Sequence, residues 1–224
     1  MVAAYNEADS IGATIAALEL ALPGAQVWVA DDGSADATAE IARAAGAHVV
    51  RSERVIGKGA AMTAAAWAAL GEAAASGGAV ADAVFLLCDG DLAGSARELG
   101  PLVEAVAGGE AELAVAAFRT RVGGGLGIAL GFARWAIRRR CGLDASAPIS
   151  GQRALSARVL EDVLPFAAGF GMEIGMTIDA VRAGHRVVEL ELDLAHRASG
   201  RTLAGFVHRG RQLVDFVRVY LRRR

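Results

Sequence analysis

The sequence predicts an α/β protein with a single, mostly parallel sheet flanked by helices. Three observations support this fold class. Short β-rich runs alternate with alanine-rich segments of helical periodicity through residues 1–120. Polar clusters directly follow three of those β-rich runs. The 224 residues, of which 54% are hydrophobic, suffice for one sizeable core. Such alternation indicates βαβ units, whose ligands bind at the carboxyl ends of the strands.

The first half supplies most of these elements. The run 1–4 predicts a truncated first strand, which means either a late start of the chain or a shortened central strand. The apolar residues of 11–22 recur at helical spacing, and Asp9 or Ser10 can cap that helix. Further strands are expected over 26–30, 47–51, 84–88 and 113–118, and helices over 9–22, 35–46, 59–76 and 95–107.

The pattern loosens after residue 121. A glycine-rich stretch, 123–127, precedes an apolar run over 126–137 that ends in three arginines. We expect a strand-turn over 149–155, a helix over 172–183, a strand over 186–192 and a long amphipathic helix from residue 202. The apolar stripe expected on that last helix comprises Leu203, Phe206, Val207, Leu213, Val214, Val217, Tyr220 and Leu221. We interpret residues 1–224 as one domain, whose first half covers residues 1–120 and whose second half covers residues 121–224.

Composition excludes several classes of protein. A net charge of −2 argues against a nucleic-acid binder. The longest uncharged run, 59–71, is shorter than the ~20 residues that span a bilayer, and no leader pattern opens the chain. We therefore expect a cytoplasmic protein with two reduced cysteines, Cys88 and Cys141. The stretch 123–127 misses the dinucleotide fingerprint, and the motifs of serine hydrolases and zinc proteases do not occur.

Charged and amide residues are unevenly distributed. Residues 1–100 hold 13 acids and 5 bases, a net of −8, whereas residues 101–224 hold 12 acids and 18 bases, a net of +6. Lys58 is the single lysine among 23 basic residues, and Asn6 is the single asparagine. A metal-dependent donor site on the acidic half, facing an anionic acceptor on the basic half, fits this division. Solvated surface charge would give the same count.

The sharpest chemical signal is Asp89-Gly90-Asp91, directly after a buried-strand pattern. Two carboxylates one residue apart on a turn can face one Mg²⁺ or Mn²⁺, which prefer oxygen ligands. The glycine between them permits a tight backbone and close approach of a ligand. This triplet therefore predicts a divalent-metal site.

Three other sites carry candidate chemistry. Lys58 stands between two glycines at the start of a predicted helix, a position suited to phosphate. Glu173 lies among apolar residues and glycines, where it suits a general base or a hydroxyl acceptor. His196 and Arg197 follow a predicted strand and suit a metal ligand and a phosphate clamp. Each of these sites also has an ordinary interpretation. Lys58 can be a solvated loop residue, Glu173 a charge at the start of a helix, and His196-Arg197 a pair on the surface.

Taken together, Tyr5-Asn6-Glu7, Asp31-Asp32-Gly33-Ser34, Gly57-Lys58-Gly59 and Asp89-Gly90-Asp91 resemble, in order and spacing, the motifs of family 2 glycosyltransferases of the GT-A fold. The second half is most similar to glucosyl-3-phosphoglycerate synthases, through residues 164–175 and the later His196-Arg197. The first half is shared with polyprenyl-phosphate sugar synthases. Two departures are Ala3, where the family usually has proline, and Ser150-Gly151-Gln152-Arg153.

The resemblance implies a role for each matching residue. Tyr5 would stack near the nucleotide base, Glu7 would bind the ribose and Asp32 would hydrogen-bond the base. Lys58 would lie beside the nucleotide or its phosphates, and Asp89 would contact ribose or sugar. Asp91 and His196 would ligate Mg²⁺ or Mn²⁺, and Glu173 would hold an acceptor or sugar hydroxyl. The acceptor-binding candidates are Arg119, Arg121, Gln152, Arg153 and Arg197.

The resemblance therefore implies a metal-dependent transfer of a hexose from a nucleotide-diphosphate sugar, most simply UDP-glucose, to an anionic small molecule such as a phosphoglycerate, or to a lipid phosphate. Peripheral membrane contact and a homodimer are further expectations. Two rival functions remain open. A sugar nucleotidyltransferase also uses an α/β sheet, a metal and a lysine, although it expects a glycine-rich first loop. A non-catalytic membrane-apposed protein would use the run 126–140 and the last helix.

Overall fold

The computed structural model describes residues 1–75, 80–118, 127–194 and 214–223. The strands are β1 Val2–Ala4, β2 Trp28–Asp31, β3 His48–Arg51, β4 Val84–Asp89, β5 Leu113–Phe118, β6 Arg153–Ser156 and β7 Val187–Leu192. The helices are α1 Ile11–Ala21, α2 Thr38–Ala44, α3 Lys58–Ala75, α4 Gly100–Ala107, α5 Ile128–Cys141, α6 Ala157–Val163, α7 Met172–Arg182 and α8 over 214–222.

The strands form one seven-stranded sheet in the order β3-β2-β1-β4-β6-β5-β7. Strands β1 to β4 pair in parallel, as do β5 and β7, whereas β6 runs antiparallel between β4 and β5. The predicted single, mostly parallel sheet with flanking helices is therefore confirmed. Strand β6 lies between β4 and β5 and pairs with both, so it joins the two parallel parts of the sheet.

The first strand is short, as predicted, and central. Val2 aligns with Val29 of β2 and with Cys88 of β4, and Ala4 aligns with Asp31. Val2 is fully buried and Ala4 nearly so. Three residues therefore suffice to bring the ends of β1, β2 and β4 to one edge of the sheet.

Two apolar clusters cover opposite faces of the sheet, because successive strand residues point to opposite sides. The first joins Val29 and Cys88 to α1, α2 and α4, and the second joins Ala30 and Leu87 to α3, α6 and α7. The alanine-rich face of α3 buries Ala61, Ala65 and Ala66, so its backbone approaches the sheet closely. A third cluster joins α5, α7 and α8.

Some elements differ from the predictions. The predicted helix over 95–107 is a 3₁₀ segment, Ala93–Leu99, followed by α4, and α6 was not predicted. In α8, Phe216 and Val219 are buried, whereas Val214, Val217 and Leu221 of the predicted stripe are exposed. The face that packs was therefore predicted wrongly for the described part of this helix. Residues 202–213 of that prediction, including Leu203, Phe206, Val207 and Leu213, lie outside the described residues.

The two cysteines agree with the expectation of reduced thiols. Cys88 and Cys141 are both free thiols, and burial raises the pKa of Cys88 to about 12. Such a thiol stays protonated and unreactive near neutral pH. Among the described residues, no helix combines the length and the apolarity that crossing a membrane requires.

Candidate active site

The polar clusters that follow β1, β2 and β4 meet at one edge of the sheet. These strands are adjacent and parallel, and the register places Ala4 beside Asp31 and Ala3 beside Asp89. Carboxyl ends of parallel strands share an edge, so the loops beyond them converge. The structure thus brings together the three polar clusters that the sequence separates by up to 84 positions.

The loop after β1 is tied to the loop after β2. Asn6 has a φ of 55°, the left-handed region that asparagine tolerates well. Its Oδ1 accepts a hydrogen bond from the backbone N–H of Ala35 at 2.8 Å, and its own N–H donates to Ser34 Oγ at 2.9 Å. The single asparagine therefore holds the loop that carries Tyr5 and Glu7. Tyr5 is half exposed and Glu7 is half-buried at this edge.

The predicted base ligand Asp32 organises the loop that leads into α3. Its carboxylate accepts hydrogen bonds from the backbone N–H of Ile56 at 2.7 Å and of Gly57 at 2.9 Å. Its neighbour Asp31 is fully buried and accepts from the N–H of Ser34 at 2.9 Å. In this structure Asp32 therefore positions the residue immediately before Lys58.

Lys58 lies between two carboxylates from distant parts of the chain. Its Nζ is 2.6 Å from Asp89 Oδ1, at the end of β4, and 2.8 Å from Glu173 Oε1, on the first turn of α7. Burial lowers the pKa of Lys58, but the two carboxylates outweigh it and hold the pKa above its usual value. The ammonium therefore stays charged at any physiological pH, and it screens Asp89 and Glu173 from each other.

The loop before β6 completes this cluster. Gln152 is buried, and its Nε2 donates a hydrogen bond to Asp89 Oδ2 at 2.8 Å. Both oxygens of Asp89 are thus fixed, one by Lys58 and one by Gln152. Gln152 was predicted to bind the acceptor, and the structure places it against Asp89.

Gly151 is a site residue that the motifs did not single out. A Cβ there would lie 2.7 Å from Asp89 Oδ2 and 2.8 Å from Lys58 Nζ, closer than side chains normally approach. Glycine is therefore required by proximity, not by a special backbone angle. The sequence carries no local signal for this, apart from the glycine in the divergent segment Ser150-Gly151-Gln152-Arg153.

Arg153 faces the interior. Its side chain is almost fully buried, and its guanidinium donates to the carbonyl of Ser150 at 2.7 Å and to Thr177 Oγ1 of α7 at 2.8 Å. Burial lowers the pKa of Arg153 to about 10, partly offset by the charges of Glu173 and Glu189. These contacts join the 148–152 loop to the helix that carries Glu173, and they do not favour the predicted acceptor contact.

Asp91 follows β4 on a turn held from within the fold. The N–H of Gly90 donates to the carbonyl of Ala3 at 2.8 Å, and the buried Thr14 hydroxyl donates to the carbonyl of Gly90 at 2.9 Å. Asp91 itself is half-buried at the edge of the sheet. A Cβ at Gly90 would come within 3.1 Å of the Ala3 carbonyl, so the glycine lets β4 turn closely over β1.

The donor set at this turn can be compared with the needs of a divalent cation. Within the described ranges, no group of three or more His, Cys, Asp or Glu side chains is placed to hold a metal ion. Mg²⁺ is commonly held by one or two carboxylates together with substrate phosphates and water. Asp91 fits that pattern, whereas Asp89 already contacts Lys58 and Gln152. The predicted metal ligand His196 lies outside the described residues. The predicted acceptor-binding residues Arg119, Arg121 and Arg197 lie outside them as well.

Comparisons with known proteins were made for the sequence and for the structure. The sequence model described as "Glycosyl transferase family 2" matches residues 1–163. A comparison with curated proteins finds no significant match.

Solved structures of glucosyl-3-phosphoglycerate synthase from Mycobacterium tuberculosis are similar to this chain. One, in complex with phosphoglyceric acid, has 28% identity and a TM-score of 0.76, over 99% of this chain and 77% of that one. Another, with Mn²⁺, UDP-glucose and glycerol 3-phosphate, has 28% identity and a TM-score of 0.75, over 99% and 78%. A third, with Mg²⁺ and UDP, has 30% identity and a TM-score of 0.74, over 99% and 77%.

Proposed function

Because the chain belongs to glycosyl transferase family 2, we propose that it transfers glucose from UDP-glucose to an anionic, phosphoglycerate-like acceptor. The predicted family, GT-A fold and glycosyltransferase activity are confirmed by the family match and by the similar structures. The proposal about substrates goes further. It is supported by the likeness to a synthase whose crystals contain UDP-glucose with phosphoglyceric acid or glycerol 3-phosphate.

The observation that carries the proposal is the Lys58–Asp89–Glu173 cluster beside Asp91. A glycosyl transfer needs a donor whose diphosphate leaves and an acceptor whose hydroxyl is held near the sugar. Asp91, at the end of β4, can ligate a divalent ion, and Asp89 and Glu173 offer fixed carboxylates for sugar or acceptor hydroxyls. Lys58 holds both carboxylates in place at distances of 2.6 and 2.8 Å.

A metal ion fits this arrangement through Asp91, with His196 as the further ligand proposed from the sequence. When bound, Mg²⁺ or Mn²⁺ would neutralise the charge that develops on the departing diphosphate. Complexes of the similar synthase contain Mn²⁺ or Mg²⁺ together with UDP. Tyr5, Glu7 and Asp32 line the edge next to this turn, and we propose that they form the nucleotide side of the donor site.

We also propose that the acidic half, 1–120, binds the donor and that the basic half, 121–224, binds the acceptor within one domain. The contact between Lys58 and Glu173 joins these halves across 115 positions of sequence. Arg119 and Arg197 remain the proposed cations for the acceptor.

The function can be tested by binding and by product analysis. UDP-glucose at 100 times its Kd should stabilise the fold by about 2.7 kcal/mol, which raises Tm by about 5–10 °C, and this shift should require Mn²⁺. With 3-phosphoglycerate added, free UDP should be released. Release of pyrophosphate from UTP and glucose 1-phosphate would instead indicate nucleotidyl transfer, and turnover with a polyprenyl phosphate as the sole acceptor would indicate a lipid acceptor. No shift with any nucleotide sugar would contradict the proposal.

Replacing Gly151 with alanine should reduce UDP release by more than about tenfold, because the new methyl group must displace Lys58 or Asp89. This loss of activity should be larger than a loss of folded protein can explain. Chemical denaturation measures the stability of the variant separately. Gly71→Ala is the matched control, because Gly71 lies within α3 with open space around it. There the same substitution should leave activity unchanged and stabilise the helix by about 0.5–1 kcal/mol. Equal activities for the two variants would disprove the role of Gly151.

A further inference from the structure

The glycine-rich stretch around Glu173 is the surface on which the C-terminal helix α8 docks. A Cβ added at any of its three glycines would collide with, or press closely on, a side chain of α8 or of Arg223, the residue that follows it. The facing α8 residues are spaced by four, so they form one stripe along that helix. The pairs are Gly169 with Asp215, Gly171 with Val219 and Gly175 with Arg223.

Polar contacts fix the docked helix at both ends. At its start, Asp215 Oδ2 accepts a hydrogen bond from the backbone N–H of Phe170 at 3.2 Å. Towards its end, Arg223 Nε donates to both carboxylate oxygens of Asp179 on α7, at 2.7 and 2.8 Å. Arg140 of α5 donates to the carbonyl of Tyr220 at 2.6 Å and lies over its ring. These contacts explain why α8 buries the face that contains Val219.

The same stretch is held from its other side by α3, the helix that begins at Lys58. Thr63 Oγ1 accepts a hydrogen bond from the N–H of Phe166 at 3.0 Å, and Gly59 packs directly against the carbonyl of Ala167. Residues 166–171 therefore lie between α3 and α8. They lead directly into the first turn of α7, where Glu173 meets Lys58.

We propose that Asp215 is a positioning residue for Glu173, which makes the docked helix α8 part of what orients the active site. Asp215 touches neither Lys58 nor Asp89. It fixes the N–H of Phe170, three residues before Glu173, and so sets the direction in which α7 begins. The inference relies on the proposed function for the role of Glu173, whereas the geometry it describes can be measured without any substrate.

The test compares three variants by amide hydrogen exchange and by steady-state UDP release. Asp215→Ala should speed exchange at residues 169–173 and lower kcat, each by about tenfold, with KM for UDP-glucose changed less than about twofold. Asp215→Asn keeps an oxygen that can accept from Phe170, so it should stay within about twofold of the parent protein in both measurements. Arg218→Ala removes only the exposed ion pair of Asp215 and should leave both unchanged.

A second pair of variants tests the close approach itself. Gly171→Ala should reproduce the effects of Asp215→Ala, because its methyl group would collide with Val219. Adding Val219→Ala should restore at least half of the lost kcat. No rescue by Val219→Ala, or parent-like exchange in Asp215→Ala, would overturn the proposal. If the parent protein released no UDP from UDP-glucose in the presence of 3-phosphoglycerate, the proposed function would fail, while hydrogen exchange would still decide the role of Asp215.

Discussion

Replacing Lys58 with methionine is expected to lower the free energy of unfolding by about 3 kcal/mol and to abolish sugar transfer. The Glu173 side chain is only 8% exposed, so removing its cation leaves a buried carboxylate beside Asp89. Breaking one partner out of a buried ion pair typically costs about 3–5 kcal/mol, and the partial exposure of Asp89 favours the lower figure. Denaturation with urea measures the first effect and UDP release the second.

Two further variants show whether that loss is specific to Lys58 and whether its charge alone is enough. Arg43→Met removes a cation of similar length from an exposed position on α2 and should change stability by less than about 0.5 kcal/mol. Lys58→Arg keeps the charge but cannot place a compact ammonium between the two carboxylates, so it should regain part of the stability and little of the activity. Equal losses from Lys58→Met and Arg43→Met would show that the cluster does not stabilise the fold.

The stability that Lys58 contributes should depend on pH only in basic solution. In the parent protein the pKa of Lys58 is raised above its unfolded value of 10.5, so its contribution is fully present below that pH and is lost only as pH rises beyond it. The parent therefore gains no pH dependence from Lys58 between pH 5 and 9. The stability advantage of the parent over the variant should therefore stay constant between pH 7 and pH 9 and shrink only as pH rises above 10.5. Urea denaturation at pH 7 and at pH 9 measures this advantage, and a smaller advantage at pH 9 would contradict this account.

Replacing Asp91 with alanine is expected to reduce transfer activity more than about 100-fold in the presence of Mn²⁺, because several kcal/mol of charge stabilisation are lost. The fold should survive, since the turn is held by backbone contacts of Gly90 with Ala3 and Thr14. The Mn²⁺-dependent rise in Tm with UDP should disappear as well. Thermal denaturation with and without the metal measures this independently of turnover.

The control for Asp91 is Asp82→Ala, which removes the same charge from an exposed position in the short 3₁₀ segment before β4. It should retain full activity and the full Mn²⁺-dependent shift. Full transfer activity in Asp91→Ala would show that the carboxylate of Asp91 is not the metal ligand.

The elements of this fold could largely be predicted because their signals are local. Strands β2, β3, β4, β5 and β7 and helices α1, α3 and α7 all lie within a few residues of the expected positions, since hydrophobic periodicity is a property of neighbouring residues. Helix α6 was missed, because Ala157–Val163 spans only seven residues and offers little periodicity. The direction of β6 was not predictable either, since it depends on which strands flank it in the folded sheet.

For the site, too, local signals indicated the candidate residues but not their arrangement. Lys58, Asp89, Asp91 and Glu173 could be chosen as candidates from residue type, rarity and position after a strand or before a helix, but their arrangement could not be predicted. The sequence indicated that Lys58 would lie beside the nucleotide or its phosphates, and the structure adds that it lies between Asp89 and Glu173.

The sequence by itself determined the family, the sheet and the candidate residues of the proposed site, because each of these depends on short, ordered motifs. Only the tertiary structure decided which of them touch, because contacts across as many as 115 positions depend on how helices pack on the sheet. The same packing turned Arg153 inward, required glycine at position 151, and seated the C-terminal helix on the glycines around Glu173. Those features depend on the distance between elements, and no local pattern of residues encodes that distance.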